Sequence, residues 1–149
     1  MTSPPGPTDT SPSTSGRLRG ASPNGLGIQR LTRAMRCSLA GLRIAFTNES
    51  AFRQEVALAA VLIPAAVVLP FSAIERFLLV GAVLLVLIVE LLNTAIEIAL
   101  DRISTDQHRL TGAAKDIGSA AVLLSFIVMA IAWASIAAPV ILGLILQSF

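Results

Sequence analysis

Apolar residues in this chain gather into blocks, and the polar residues that interrupt them recur at helical intervals. Over residues 28–46, Ile28, Leu31, Met35, Leu39, Leu42 and Phe46 repeat three and four apart, while Arg30, Arg33, Arg36 and Arg43 fall on the other side. That spacing predicts a basic amphipathic helix, and its place just ahead of an apolar block suits one lying in a membrane interface. Three longer apolar blocks follow, at about 56–71, 77–100 and 117–146. A hydrocarbon core about 30 Å thick takes roughly 20 residues of helix, so each block is predicted to span a bilayer. The first is short, and Pro64 and Pro70 are expected to kink or end it. Glu75 and Arg76 predict a tight polar turn, and residues 101–116 a polar loop.

Residues 1–26 are rich in Pro, Ser, Thr and Gly, with neither helical periodicity nor the apolar core of a secretory signal. They predict a disordered, solvated tail, and residues 27–149 a single membrane-embedded domain. The fold class is an all-α membrane protein: an amphipathic surface helix plus three transmembrane helices.

Composition agrees with this reading. Of 149 residues, 54% are hydrophobic and 13% charged, too apolar for an ordinary soluble domain. The net charge of +2 is small, but Arg17, Arg19, Arg30, Arg33, Arg36, Arg43 and Arg53 all precede the first apolar block. An anionic membrane surface explains a basic segment in that place better than nucleic acid does. Counting Lys and Arg near the span ends puts the amino terminus and the 101–116 loop in the cytoplasm and the carboxyl terminus outside. The single cysteine, Cys37, excludes an intramolecular disulfide framework and has no metal-site spacing.

The candidate chemistry lies in V-E-L-L-N-T-A-I-E-I-A-L-D, residues 89–101. At 100° per residue, Glu90, Asn93, Glu97 and Asp101 fall within about 80° of one another on one helix face. Glu97 should lie at the cytoplasmic interface, with Glu90 about 10 Å deeper by helix rise. A charge at such depth costs on the order of 2.5–3.5 kcal/mol, more than the roughly 1 kcal/mol of an interhelical hydrogen bond. The face should therefore line a polar site. Stacked carboxylates of this kind could pass protons or cations, or could hold Mg²⁺ and deprotonate a hydroxyl in phosphoryl transfer. Lys115, the only lysine, stands beside Asp116 at the start of the third block, and Glu49 stands at a similar height before the first. The outer half of the spans has no ionisable residue to continue a path, which favours interfacial chemistry over transport.

Three motifs then support a resemblance. N-E-x-A-F-R-Q-E (48–55), V-E-x-L-N-T-A-I-E (89–97) and A-K-D-I-G-S-A-A-V (114–122) resemble the signature of the prokaryotic diacylglycerol kinase family. The resemblance implies a homotrimer of three-span subunits that transfers the ATP γ-phosphoryl group to the hydroxyl of diacylglycerol, giving phosphatidate. It implies Glu90 as the base, with Asn93 and Lys115 completing the catalytic set, and Glu49 and Glu97 as holders of Mg²⁺ carried by ATP. Arg30, Asp106, His108, Lys115 and Asp116, together with Glu49 and Glu97, would contact the nucleotide. Arg30, Arg43, Arg53, Glu90 and Ser119 would face the lipid. Cys37, Leu39 and Ala40 stand where familiar members carry Tyr, Trp and Lys, a departure on the lipid-contact side. A sister group phosphorylates undecaprenol, but A-F-R-Q-E and D-I-G-S-A-A favour the diacylglycerol type. The reading from another class is a small proton- or cation-handling membrane protein.

Overall fold

The computed structural model describes residues 27–103 and 109–147. All four elements are helical: α1 (Gly27–Asn48), α2 (Ser50–Val68), α3 (Ala73–Ile103) and α4 (Arg109–Gln147). The last three are each long and apolar enough to cross a membrane. The expected tail, residues 1–26, lies outside the described residues. The chain divides into two compact units, Met1–Cys37 and Ser38–Phe149. The first contributes the opening turns of α1, whose Ile28, Leu31 and Met35 are exposed, as an apolar stripe awaiting lipid would be.

In the second unit, α3 packs against both α2 and α4. Two apolar clusters fill the seams. One joins Ala59, Ala82, Val83, Val86 and Met129, and the other joins Ala66, Phe71, Leu79 and Ala137. The small residues Ala59, Ala66, Ala82 and Ala137 let the helix backbones approach closely, as membrane helix packing requires.

The α2–α3 connection shows how the sequence turns a corner inside an apolar medium. Pro64 is accommodated within α2, and the helix ends at Val68 with Leu69 in extended conformation ahead of Pro70. Pro70 has no N–H to give the carbonyl of Ala66, four residues back, and Ala66 is fully buried. The Arg76 guanidinium supplies the missing donor, with Nε 3.0 Å from the Ala66 oxygen and Nη2 3.3 Å from that of Phe71. Ser72 and Glu75 form a reciprocal capping box. The Ser72 N–H donates to Glu75 Oε2 at 2.8 Å, and the Glu75 N–H to Ser72 Oγ at 3.3 Å. Glu75 and Arg76 thus belong to the first turn of α3, not to a free polar turn.

The expected 101–116 loop is likewise mostly helix. α3 continues through Ile103 and α4 begins at Arg109. At 1.5 Å per residue, the 39 residues of α4 extend about 58 Å, well beyond a hydrocarbon core. Its polar first turns can therefore stand in the aqueous layer while the rest crosses lipid. Helix continues past the apolar block because backbone hydrogen bonding does not depend on which solvent the side chains meet.

Candidate active site

Glu49 is the single extended residue between α1 and α2, and it caps the start of α2 without a side-chain hydrogen bond to the helix. Its carboxylate stands at the positive end of the α2 dipole, a favourable place for an anion. The junction is held by Arg53, whose Nη1 reaches the last carbonyls of α1 at Phe46 (3.3 Å) and Thr47 (3.2 Å). Those carbonyls have no partner further along the helix, so a guanidinium one turn into α2 satisfies them.

The α3 stripe forms as its spacing predicts. Glu90 is 5% exposed, Asn93 and Glu97 are half-buried, and Asp101 is exposed. Burial thus falls toward the carboxyl end of α3. Glu90 lies within Coulombic range of both Glu97 and Glu49. Asn93 Nδ2 donates to Glu97 Oε1 at 3.0 Å, one turn away. The other end of the same amide, Oδ1, is buried with no hydrogen-bond partner and lies against Gly118 of α4. Lys115, also on α4, brings its Nζ to 2.6 Å from Asp101 Oδ1 and feels the charge of Glu97. α3 and α4 therefore meet along a polar ladder of Asn93, Glu97, Asp101 and Lys115.

One residue of this site was not picked out by sequence reasoning. Glu55 on α2 is 6% exposed, and its Oε2 is buried without a partner. With Glu90 it lines a cavity of about 360 Å³, whose other walls include Leu58, Val122 and Phe126. A signal was available. Phe52, Glu55, Ala59 and Ala66 are the buried positions of α2, at intervals of three, four and seven. Helical counting from Ser50 places Glu55 on the apolar face, whereas reading it as a polar residue ahead of the span hides it.

The other expected site residues separate into groups. Asp116 and Ser119 are exposed on α4, and Arg43 is exposed on α1. Arg30 is exposed on the part of α1 that belongs to the first unit. Asp106 and His108 lie outside the described residues. Among the described residues, no three acidic, His or Cys side chains converge closely enough to hold a metal ion unaided.

Buried carboxylates opening to a cavity from two helices, with a lysine at the exposed end of the same ladder, suit a reaction at the membrane surface. Comparison with known proteins decides which. The family model for prokaryotic diacylglycerol kinase matches residues 36–137. The chain belongs to the prokaryotic diacylglycerol kinase family. It is similar to the diacylglycerol kinase of Escherichia coli K12, with 48% identity over 110 residues that cover 74% of this chain and 90% of that one. The corresponding enzyme of Haemophilus influenzae is 46% identical, with 93% of its length covered. That of Pseudomonas aeruginosa is 49% identical, with 89% covered. The matched region contains α2, α3, the greater part of α4 and every polar residue of the ladder. The chemistry of a kinase family is phosphoryl transfer, and three apolar helices make this member a membrane protein.

Proposed function

We propose that the chain, acting through residues 27–149, transfers the γ-phosphoryl group of ATP to the free hydroxyl of diacylglycerol at the cytoplasmic face of a bacterial inner membrane. The amino terminus would face the cytoplasm and the carboxyl terminus the outside. The observation that carries this reading is the depth order on α3, with a buried Glu90 opening to a cavity below a half-buried Glu97 and an exposed Asp101. A hydroxyl held at the level of a lipid headgroup needs its base deeper than the phosphates, which arrive from water. The family's relatives, named diacylglycerol kinases, supply the acceptor.

In this mechanism Glu90 takes the proton of the lipid hydroxyl as its oxygen attacks the γ-phosphorus. The bond from that phosphorus to the β–γ bridging oxygen breaks, and ADP leaves. Asn93 holds Glu97 in place. Lys115 and Asp116 face the nucleotide, and Lys115 offsets charge on the transferring group. Arg30, Asp106 and His108 are assigned to the nucleotide as well. Arg43, Ser119 and the Nε and Nη2 donors of Arg53 face the lipid headgroup together with Arg30. The carboxylates of Glu49 and Glu97 form a donor set suited to Mg²⁺, which binds few protein oxygens and completes its shell with phosphate and water. When bound, the ion would supply positive charge to offset that of the nucleotide's phosphates. The active unit is a homotrimer, in which sites built between subunits would bring the nucleotide side of one ladder to the acceptor cavity of another.

Glu55 belongs to the acceptor side, because it shares its cavity with Glu90 and none of its described partners lies on the nucleotide ladder. Glu55→Gln should therefore lower kcat/KM for the lipid by about 10- to 100-fold, the worth of a hydrogen bond to a charged group. KM for ATP should stay unchanged. An altered KM for ATP with normal lipid kinetics would place Glu55 on the other side of the site.

The direct test is transfer of labelled phosphate from ATP with Mg²⁺ to diacylglycerol and to undecaprenol, side by side in mixed micelles. Preferential labelling of diacylglycerol is expected. Preference for undecaprenol would keep the mechanism and change the acceptor. Labelling of neither by folded protein would overturn the proposal.

A further inference from the structure

Gly118 is buried at the seam between α3 and α4. A Cβ built there would overlap Asn93 Oδ1 and stand 3.3 Å from Asn93 Cγ. The other described glycines, Gly27, Gly41, Gly81, Gly112 and Gly143, would meet nothing within 4 Å. The backbone does not demand glycine either, since no described glycine has a positive φ. In a mid-helix position with ordinary helical dihedrals, alanine is the better helix former. What glycine provides at 118 is space, and the group that occupies the space is the Asn93 amide.

That amide is held at both ends in different ways. Nδ2 is anchored by its 3.0 Å bond to Glu97. Oδ1 has no donor and is fixed by contact with the bare α4 backbone at Gly118. An alanine methyl would push Oδ1 away, and because the amide is planar, Nδ2 must move with it. Glu97 would then lose the donor that sets its carboxylate.

We infer that Gly118 is a positioning residue for phosphoryl transfer, acting through Asn93 to fix the Glu97 carboxylate. The inference rests on the kinase reading above, so it needs one readout that depends on activity and one that does not. Gly118→Ala should lower kcat by about 10- to 100-fold, the scale of a displacement near 1 Å in a catalytic array. In an Asn93→Ala background the same substitution should lower kcat no further, because the side chain it displaces is gone. Helicity and thermal stability of the double variant should match or exceed those of Asn93→Ala alone. Independently of turnover, the Asn93 side-chain amide resonance, assigned by its loss in Asn93→Asp, should shift in detergent-solubilised Gly118→Ala. An unmoved resonance would overturn the inference whatever the activity. So would an equal loss of kcat in both backgrounds, which would assign Gly118 to helix packing alone. A shifted resonance in protein that phosphorylates no lipid would uphold the contact and reject the kinase reading instead.

Discussion

Glu90→Gln is expected to reduce phosphoryl transfer to diacylglycerol by about 10²- to 10⁴-fold, the range a positioned general base contributes. Mg-ATP binding should be intact. The substitution keeps the size of the side chain and its place in the cavity beside Glu55, but replaces the carboxylate proposed as base by an amide too weakly basic to take a hydroxyl proton. Glu90 is the deepest carboxylate of the α3 stripe, separated from Glu97 by about 10 Å of helix rise. Loss at this position should therefore fall on kcat and spare nucleotide affinity. The check is a steady-state assay in mixed micelles paired with a direct nucleotide-binding measurement on the same folded protein. Near-normal turnover would remove Glu90 from the role of base. A loss confined to ATP binding would move it to the nucleotide side.

Glu97→Gln should have the next largest effect, and a different kind of effect. Its carboxylate accepts the Asn93 amide at 3.0 Å, and both Glu90 and Lys115 feel its charge. Gln retains the shape but carries no charge for a divalent cation. The Mg²⁺ concentration for half-maximal rate should rise by at least about 10-fold, since even indirect partners of a metal commonly carry that much affinity. Excess Mg²⁺ should restore part of the rate. Glu49→Gln should behave alike, because Glu49 approaches the same site from the start of α2. A fall in kcat with an unchanged Mg²⁺ requirement in both variants would rule out this pair as metal ligands. The rescue also separates the two predictions, since added metal should do nothing for Glu90→Gln.

Much of the arrangement could be read from spacing alone. The amphipathic α1, the three long helices and the shared face of Glu90, Asn93, Glu97 and Asp101 all follow from the helical period, a local property of the chain. Boundaries were less legible. Hydropathy marks where side chains prefer lipid, whereas the helices end where backbone partners run out. This is why Ser72 and Glu75 cap the start of α3 while Arg76 closes the end of α2, and why α4 starts at Arg109, ahead of its apolar block. Spacing likewise gave no sign that Nη1 of Arg53 closes the end of α1.

Composition and periodicity were thus enough for the class of protein, the helices and the carboxylate stripe, and three motifs for the family. Which faces meet is a matter of packing. Only packing brings Glu55 of α2 to the cavity of Glu90 on α3, 35 residues away in the chain. Only packing places Lys115 on Asp101 and the bare backbone of Gly118 against Asn93. Periodicity specifies the face on which a side chain emerges from its own helix. The neighbour it finds there depends on what the facing helix leaves room for, and at Gly118 the missing methyl group leaves room for the Asn93 amide.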